Sequence, residues 1–135
     1  MRLLVSLGAV LALPLAGFAQ PTAVVPAAPD LSGQWSGYWV SDTNGHTGPL
    51  SARFTPQGPG AYRVTYRGRF AVVIPFRYST TMTVVGTGDG AVLLSAEKRL
   101  GPMGTFRTTA TATGTNFDAA FTGRRDSGRF VMTRK

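Results

Sequence analysis

The feature that most limits what this chain can fold into is a two-residue alternation of side chains, repeated between short glycine-containing breaks. In AYRVTYRG, Tyr62, Val64 and Tyr66 fall on one face, with Arg63, Thr65 and Arg67 on the other. FRYSTTMTVV turns Phe76, Tyr78, Met82 and Val84 inward. NFDAAFTG aligns Phe117, Ala119 and Phe121, and GRFVMTRK aligns Phe130 with Met132. No window sustains a helical period of 3.6 residues. Period-two patterning specifies half-buried antiparallel strands, and Thr, Val, Phe and Tyr suit a pleated surface. The breaks TPQGPGA, GTGDGA, RLGPMGT, ATGTN and RRDSGR read as turns. Asp89-Gly90 signals a type I′ hairpin, a turn with positive φ at both central residues.

Eight strands are expected, near 33–41, 49–55, 60–68, 76–86, 91–99, 104–112, 116–123 and 128–134. Short connections make consecutive strands antiparallel neighbours. The expectation is an all-β, up-and-down meander that hides its edges by closing into a small barrel. An eight-stranded barrel has an interior just wide enough to be filled by side chains, or to hold one small ligand. Small inward residues (Gly37, Gly68, Ala110, Ala112, Ala119) leave room beside the aromatics, and they suit a filled core equally well.

The N-terminus reads differently. Arg2, the apolar run Leu3 to Leu15 and the small residues Gly17 and Ala19 form a signal-peptide pattern over 1–19. QPTAVVPAAP, 20–29, reads as a Pro/Ala-rich linker, leaving 30–135 as one domain. Export to a periplasm or to the exterior is the expectation. The chain has no cysteine, which excludes disulfides, thiol chemistry and lipid attachment at a cleavage-site cysteine. Fourteen bases against six acids give a formal net charge of +8, a balance that draws anions. Nucleic acid is disfavoured as a partner. YRVTYRGRF sends Tyr and Arg to opposite faces, whereas a stacking platform needs them together.

In a meander, alternate connections lie at one end. One rim therefore collects the loop with Asp42, Asn44 and His46, together with Arg69, Lys98, Arg99, Arg124 and Arg125. Its apolar residues, Val72, Val73, Ile74 and Met103, suit the mouth of a ligand barrel. The other reading of FAVVIP is a bent, buried strand with Pro75 at the bend. The opposite rim is neutral to acidic.

His46, Asp42 and Asn44 offer metal-ligating chemistry, or equally a turn whose side chains bond their own backbone. A calcium loop counted from Asp42 fails, because its sixth and twelfth positions hold Thr47 and Arg53. No second His completes a zinc site, so neither a metal nor another cofactor is expected. The acids fall mostly at turns or strand ends, and no G-x-S-x-G elbow is present. No catalytic residue is assigned.

Gly33-Gln34-Trp35, a Gly-x-Trp opening the first strand of a β-meander, resembles the calycin group of lipocalins, fatty-acid-binding proteins and avidins. GQWSG also has the look of small secreted bacterial proteins that open with GxWxG. The lipocalin resemblance implies that Trp35 plugs one barrel end under an arginine from the last strand, Arg129 or Arg134. The chain departs from lipocalins in its shorter length, its lack of a disulfide and the absence of a helix pattern after the last strand. The leading functional expectation is a non-catalytic exported barrel that binds a small amphipathic or anionic ligand at the basic rim. The alternative is a packed-core module binding envelope polyanions, a membrane surface or an acidic partner. An enzyme built on His46 is the third.

Overall fold

The structure, a computed structural model, describes residues 17, 28–70 and 74–135, with backbone alone for Phe70 and Met103. Most of the expected signal peptide and linker, and also Val72 and Val73, lie outside the described residues.

Eight strands follow in order: β1 Gly33–Ser41, β2 Thr47–Pro56, β3 Ala61–Phe70, β4 Ile74–Gly88, β5 Ala91–Arg99, β6 Thr105–Ala112, β7 Asn116–Thr122 and β8 Ser127–Arg134. Each pairs antiparallel with the next, and β1 pairs with β8, so the meander closes into a barrel. The alternation carries over directly. Val64, Tyr66, Met82, Phe117, Ala119, Phe121, Phe130 and Met132 are buried, while Arg63, Arg67, Thr81 and Asp118 face solvent. At the hairpin tip Asp89 has φ 53° and Gly90 φ 75°, both positive as a type I′ turn requires.

The β3–β4 hairpin departs from expectation. Its arms run on to Phe70 and Ile74, paired with each other to the tip of the described ladder. Ile74 is 59% exposed, so FAVVIP is not a wholly buried bend. The physical reason lies in the neighbouring ladder. β4 pairs with β5 only from Thr83 to Gly88, with a bulge between Val84 and Gly86. Toward the rim, among the described residues, β4 keeps β3 alone as a strand partner.

The two barrel ends are built differently. At the end where β1 begins and β8 finishes the interior is filled. Trp35, Leu31, Phe54 and Phe117 are fully buried. The Phe54 and Phe117 rings meet edge-on at 5.3 Å, and Trp35 lies 5.7 Å from Phe54. Trp35 Nε1 donates to Leu31 O at 2.9 Å, which satisfies the indole and draws the strand's lead-in under the barrel. Burying side chains of this size stabilises by roughly 1.5–3 kcal/mol each.

Candidate ligand cavity and the basic rim

The filled end is sealed from outside by Arg134. Its guanidinium lies over Trp35, 4.7 Å from the ring. It also donates to Gly114 O at 2.8 Å, to Ser32 O at 2.5 Å and to Asp30 O. The choice between Arg129 and Arg134 is settled by parity. Arg134 shares the inward phase of Phe130 and Met132 and curls over the barrel bottom. Arg129 has the opposite phase, points outward and pairs with Asp118 at 2.6 Å, so it is not the plug partner. The carboxylate raises the Arg129 pKa by hydrogen bond and charge.

The other end is open. A cavity of about 440 Å³ enters the barrel there. Its walls are Trp39, Tyr66, Phe76, Tyr78, Phe106, Phe121 and Phe130, and its mouth is bordered by Leu100, Pro102, Thr105, Gly123, Arg124, Arg125 and Asp126. Three cross-strand pairs explain why so many rings leave a hole. Trp39 stands opposite Gly48, Phe76 opposite Gly68 and Phe121 opposite Gly128. A Cβ on Gly48 would lie 2.7 Å from the Trp39 indole. On Gly68 it would lie 2.4 Å from the Phe76 ring, and on Gly128 2.6 Å from the Phe121 ring. Each aromatic therefore lies flat against bare backbone, a known device for protecting strand glycines. The rings coat the wall instead of meeting at the axis. Phe106, Phe121 and Phe130 continue the lining as a stack, with centroids 5.4 and 4.8 Å apart.

Polar atoms in this end are few. The Tyr66 hydroxyl donates weakly to Met82 Sδ at 3.5 Å, and burial pushes its pKa far up. Burial also raises the Tyr78 pKa. The Thr80 hydroxyl is near enough to oppose that rise, yet Tyr78 Oη has no partner at hydrogen-bond geometry. Thr108 Oγ1 is likewise buried without a partner. Thr108 lies on the inner phase of β6, one inward position deeper than Phe106 and across from Phe121.

The rim residues expected from strand order sit at this end, but only some reach the cavity. Arg124 and Arg125 border it, and Arg124 donates to Pro102 O at 3.1 Å, tying two rim loops together. Asp126 borders it too and accepts from Ser41 Oγ at 2.5 Å. Arg69, Arg99 and Ile74 are exposed and lie outside the lining, although Arg69 contributes its carbonyl as acceptor for Trp39 Nε1 at 3.2 Å. The Met103 side chain is outside what is described.

His46, Asp42 and Asn44 are exposed and off the cavity wall. Their loop is a self-bonded turn. The His46 amide donates to Asn44 Oδ1 at 2.9 Å, and the Ser41 amide donates to His46 O at 2.8 Å. Among the described residues no cluster of His, Asp and Glu could hold a metal ion.

One kind of site residue was missed from sequence, and so was one inward charge outside the lining. The lining aromatics were read as core, because alternation assigns a face and not a depth. Lys98 was read with the rim charges, yet it shares the inward phase of Val92, Leu94 and Ala96. A charge on the apolar phase of a strand was the available signal.

No family model matches the chain, and no curated protein matches it. Among solved structures it is similar to a redesigned β-barrel, mFAP1, bound to DFHBI. The TM-score is 0.56 at 14% identity, over 78% of this chain and 94% of that one. At that identity the likeness establishes the fold, and the chain is an eight-stranded closed antiparallel β-barrel of the same architecture.

Proposed function

We propose that this protein is an exported, non-catalytic barrel that holds one small, largely apolar ligand in the cavity open at the basic rim. The observation that carries the reading is the cavity itself: about 440 Å³, walled by aromatic rings and closed at the far end by Trp35 and Arg134. Small-molecule sites are typically concave, apolar, roughly 300–1,000 Å³ and furnished with few polar groups. The similar redesigned barrel binds a small molecule, which supports the same use of this architecture. The Trp35–Arg134 stack is the arrangement implied by the lipocalin resemblance, and it supports placing the chain near the calycins. The leader-like segment 1–19 supports export.

The test is titration with a neutral apolar fluorophore, N-phenylnaphthylamine. Saturable binding at one probe per chain is expected, with energy transfer from tryptophan that Trp39→Phe reduces, leaving the share from Trp35. Thr105→Trp at the mouth should weaken binding by about tenfold or more, the effect of losing roughly 1.4 kcal/mol. A linear, unsaturable response in the wild type would sink the proposal. It would leave the alternative of surface binding to acidic polymers, recognisable by its loss at high salt.

A further inference from the structure

We infer that the ligand is an acid, and that Lys98, set in a seam of the barrel wall between β4 and β5, holds its acid group. The inference rests on the cavity reading above and names the chemistry of its occupant.

The seam is visible in the ladders. β4 and β5 pair only between Thr83–Gly88 and Ala91–Ser95. From there toward the rim, β5 residues Ala96 to Arg99 pair with β6 alone, and β4 residues Ile74 to Met82 pair with β3 alone. Lys98 stands where the ladder is missing. Its ammonium reaches across and donates to Ser79 O, and it lies over the Tyr78 ring, 5.0 Å from the centroid. Tyr78 is a cavity wall residue, and so is Phe106, the cross-strand neighbour of Lys98. Lys98 itself does not line the cavity; its ammonium stands behind these two wall residues, half-buried on the inward phase of β5, and would meet an occupant by turning away from Ser79 O.

It has no counter-charge. The chain has six acids, and each is placed elsewhere. Glu97 points outward to Arg107 at 3.5 Å, and Asp118 pairs with Arg129. Asp30 and Asp89 lie at the opposite end, Asp42 is exposed in the His46 turn, and Asp126 is bonded by Ser41. Among the described residues this half-buried cation meets one carbonyl and one ring, and no acid. A carboxylate or sulfonate in the cavity would replace neutral partners with a charge-assisted bond, which is roughly twice as strong. The rim arginines compete less well for this role. Both border the cavity, but both are exposed, so water already solvates their charge.

A matched probe pair tests this on the intact protein. Anilinonaphthalene sulfonate carries an acid group, and N-phenylnaphthylamine lacks it. Lys98→Met is expected to weaken the sulfonate by about tenfold or more and to leave the neutral probe within about twofold, since a hydrogen bond to a charged group is worth roughly 1.5–3 kcal/mol. Lys98→Arg should retain most of the sulfonate affinity. The double variant Arg124→Gln/Arg125→Gln should change it by less than Lys98→Met does. Equal loss of both probes in Lys98→Met would show a structural role and overturn the inference. So would an unchanged sulfonate affinity, or a loss that follows the two arginines instead. If the wild type binds neither probe, the cavity reading itself fails. If it binds the neutral probe alone, the cavity stands and the acid assignment falls.

Discussion

At the residue scale, phase along the strand decides what a charge does. Arg129 and Arg134 are five residues apart on one strand, and their environments are opposite. Arg134 combines a stack on Trp35 with hydrogen bonds to Gly114, Ser32 and Asp30 carbonyls. Arg134→Met should cost about 2–4 kcal/mol in urea denaturation, from a partly desolvated cation–π contact and charged hydrogen bonds. Arg129→Met removes a half-exposed surface pair and should cost far less. Similar losses for the two variants would contradict the plug assignment. His46→Ala should fall within about 0.5 kcal/mol of wild type, because the turn uses the His46 backbone and not its ring.

At the element scale, the strands approach each other too closely at certain glycines for any side chain. A Cβ on Gly37 would sit 1.9 Å from Val131 O, and one on Gly128 would sit 2.0 Å from Val40 O. Backbone atoms cannot step aside without parting β1 from β8, the pair that closes the barrel. Gly37→Ala and Gly128→Ala should therefore lose more than about 3 kcal/mol, beyond the range of ordinary overpacking, or fail to fold by circular dichroism. Gly86→Ala is the control. Its Cβ would meet only the Leu93 side chain, at 3.4 Å, and stability should barely change. Gly68→Ala is intermediate, since its nearest neighbour is the Phe76 ring. It should push that ring toward the cavity, so that probe affinity falls while the barrel remains folded.

At the scale of the whole molecule, two titrations bound the pH range of stability. The Ser32 hydroxyl and amide hold Asp30 below its ordinary value of 3.8. A depressed carboxylate stabilises the fold above its unfolded pKa, and that contribution is lost as pH falls through the folded value. Burial raises Tyr66 far above 10.0. The unfolded chain then ionises first, so this contribution is complete below pH 10.0 and declines as pH rises beyond it. Denaturation midpoints should be flat between these limits as far as these two groups act. Tyr66→Phe should reduce the alkaline fall, and an undiminished fall in that variant would assign it to other groups.

The architecture was legible in the sequence because every strand carries its own local evidence. Period two assigns a face, Asp89-Gly90 assigns a turn, and short connections leave no order but the meander. Alternation from Tyr62 to Met132 therefore predicted the closed barrel, while the plug arginine stayed open between Arg129 and Arg134 until the structure placed Arg134 over Trp35. Other properties required atoms from distant strands. Glycine opposite an aromatic is a cross-strand relation, so only the register shows that Trp39, Phe76 and Phe121 coat a wall and leave a cavity. The missing half of the β4–β5 ladder is likewise a relation between two strands, and so is the bulge between Val84 and Gly86 that no local pattern announces. The sequence by itself determined which face each residue takes, because face depends on backbone pleat alone. Tertiary structure decided depth and company: which inward rings meet at the axis, which stand apart around a cavity, and which inward cation is left without an acid.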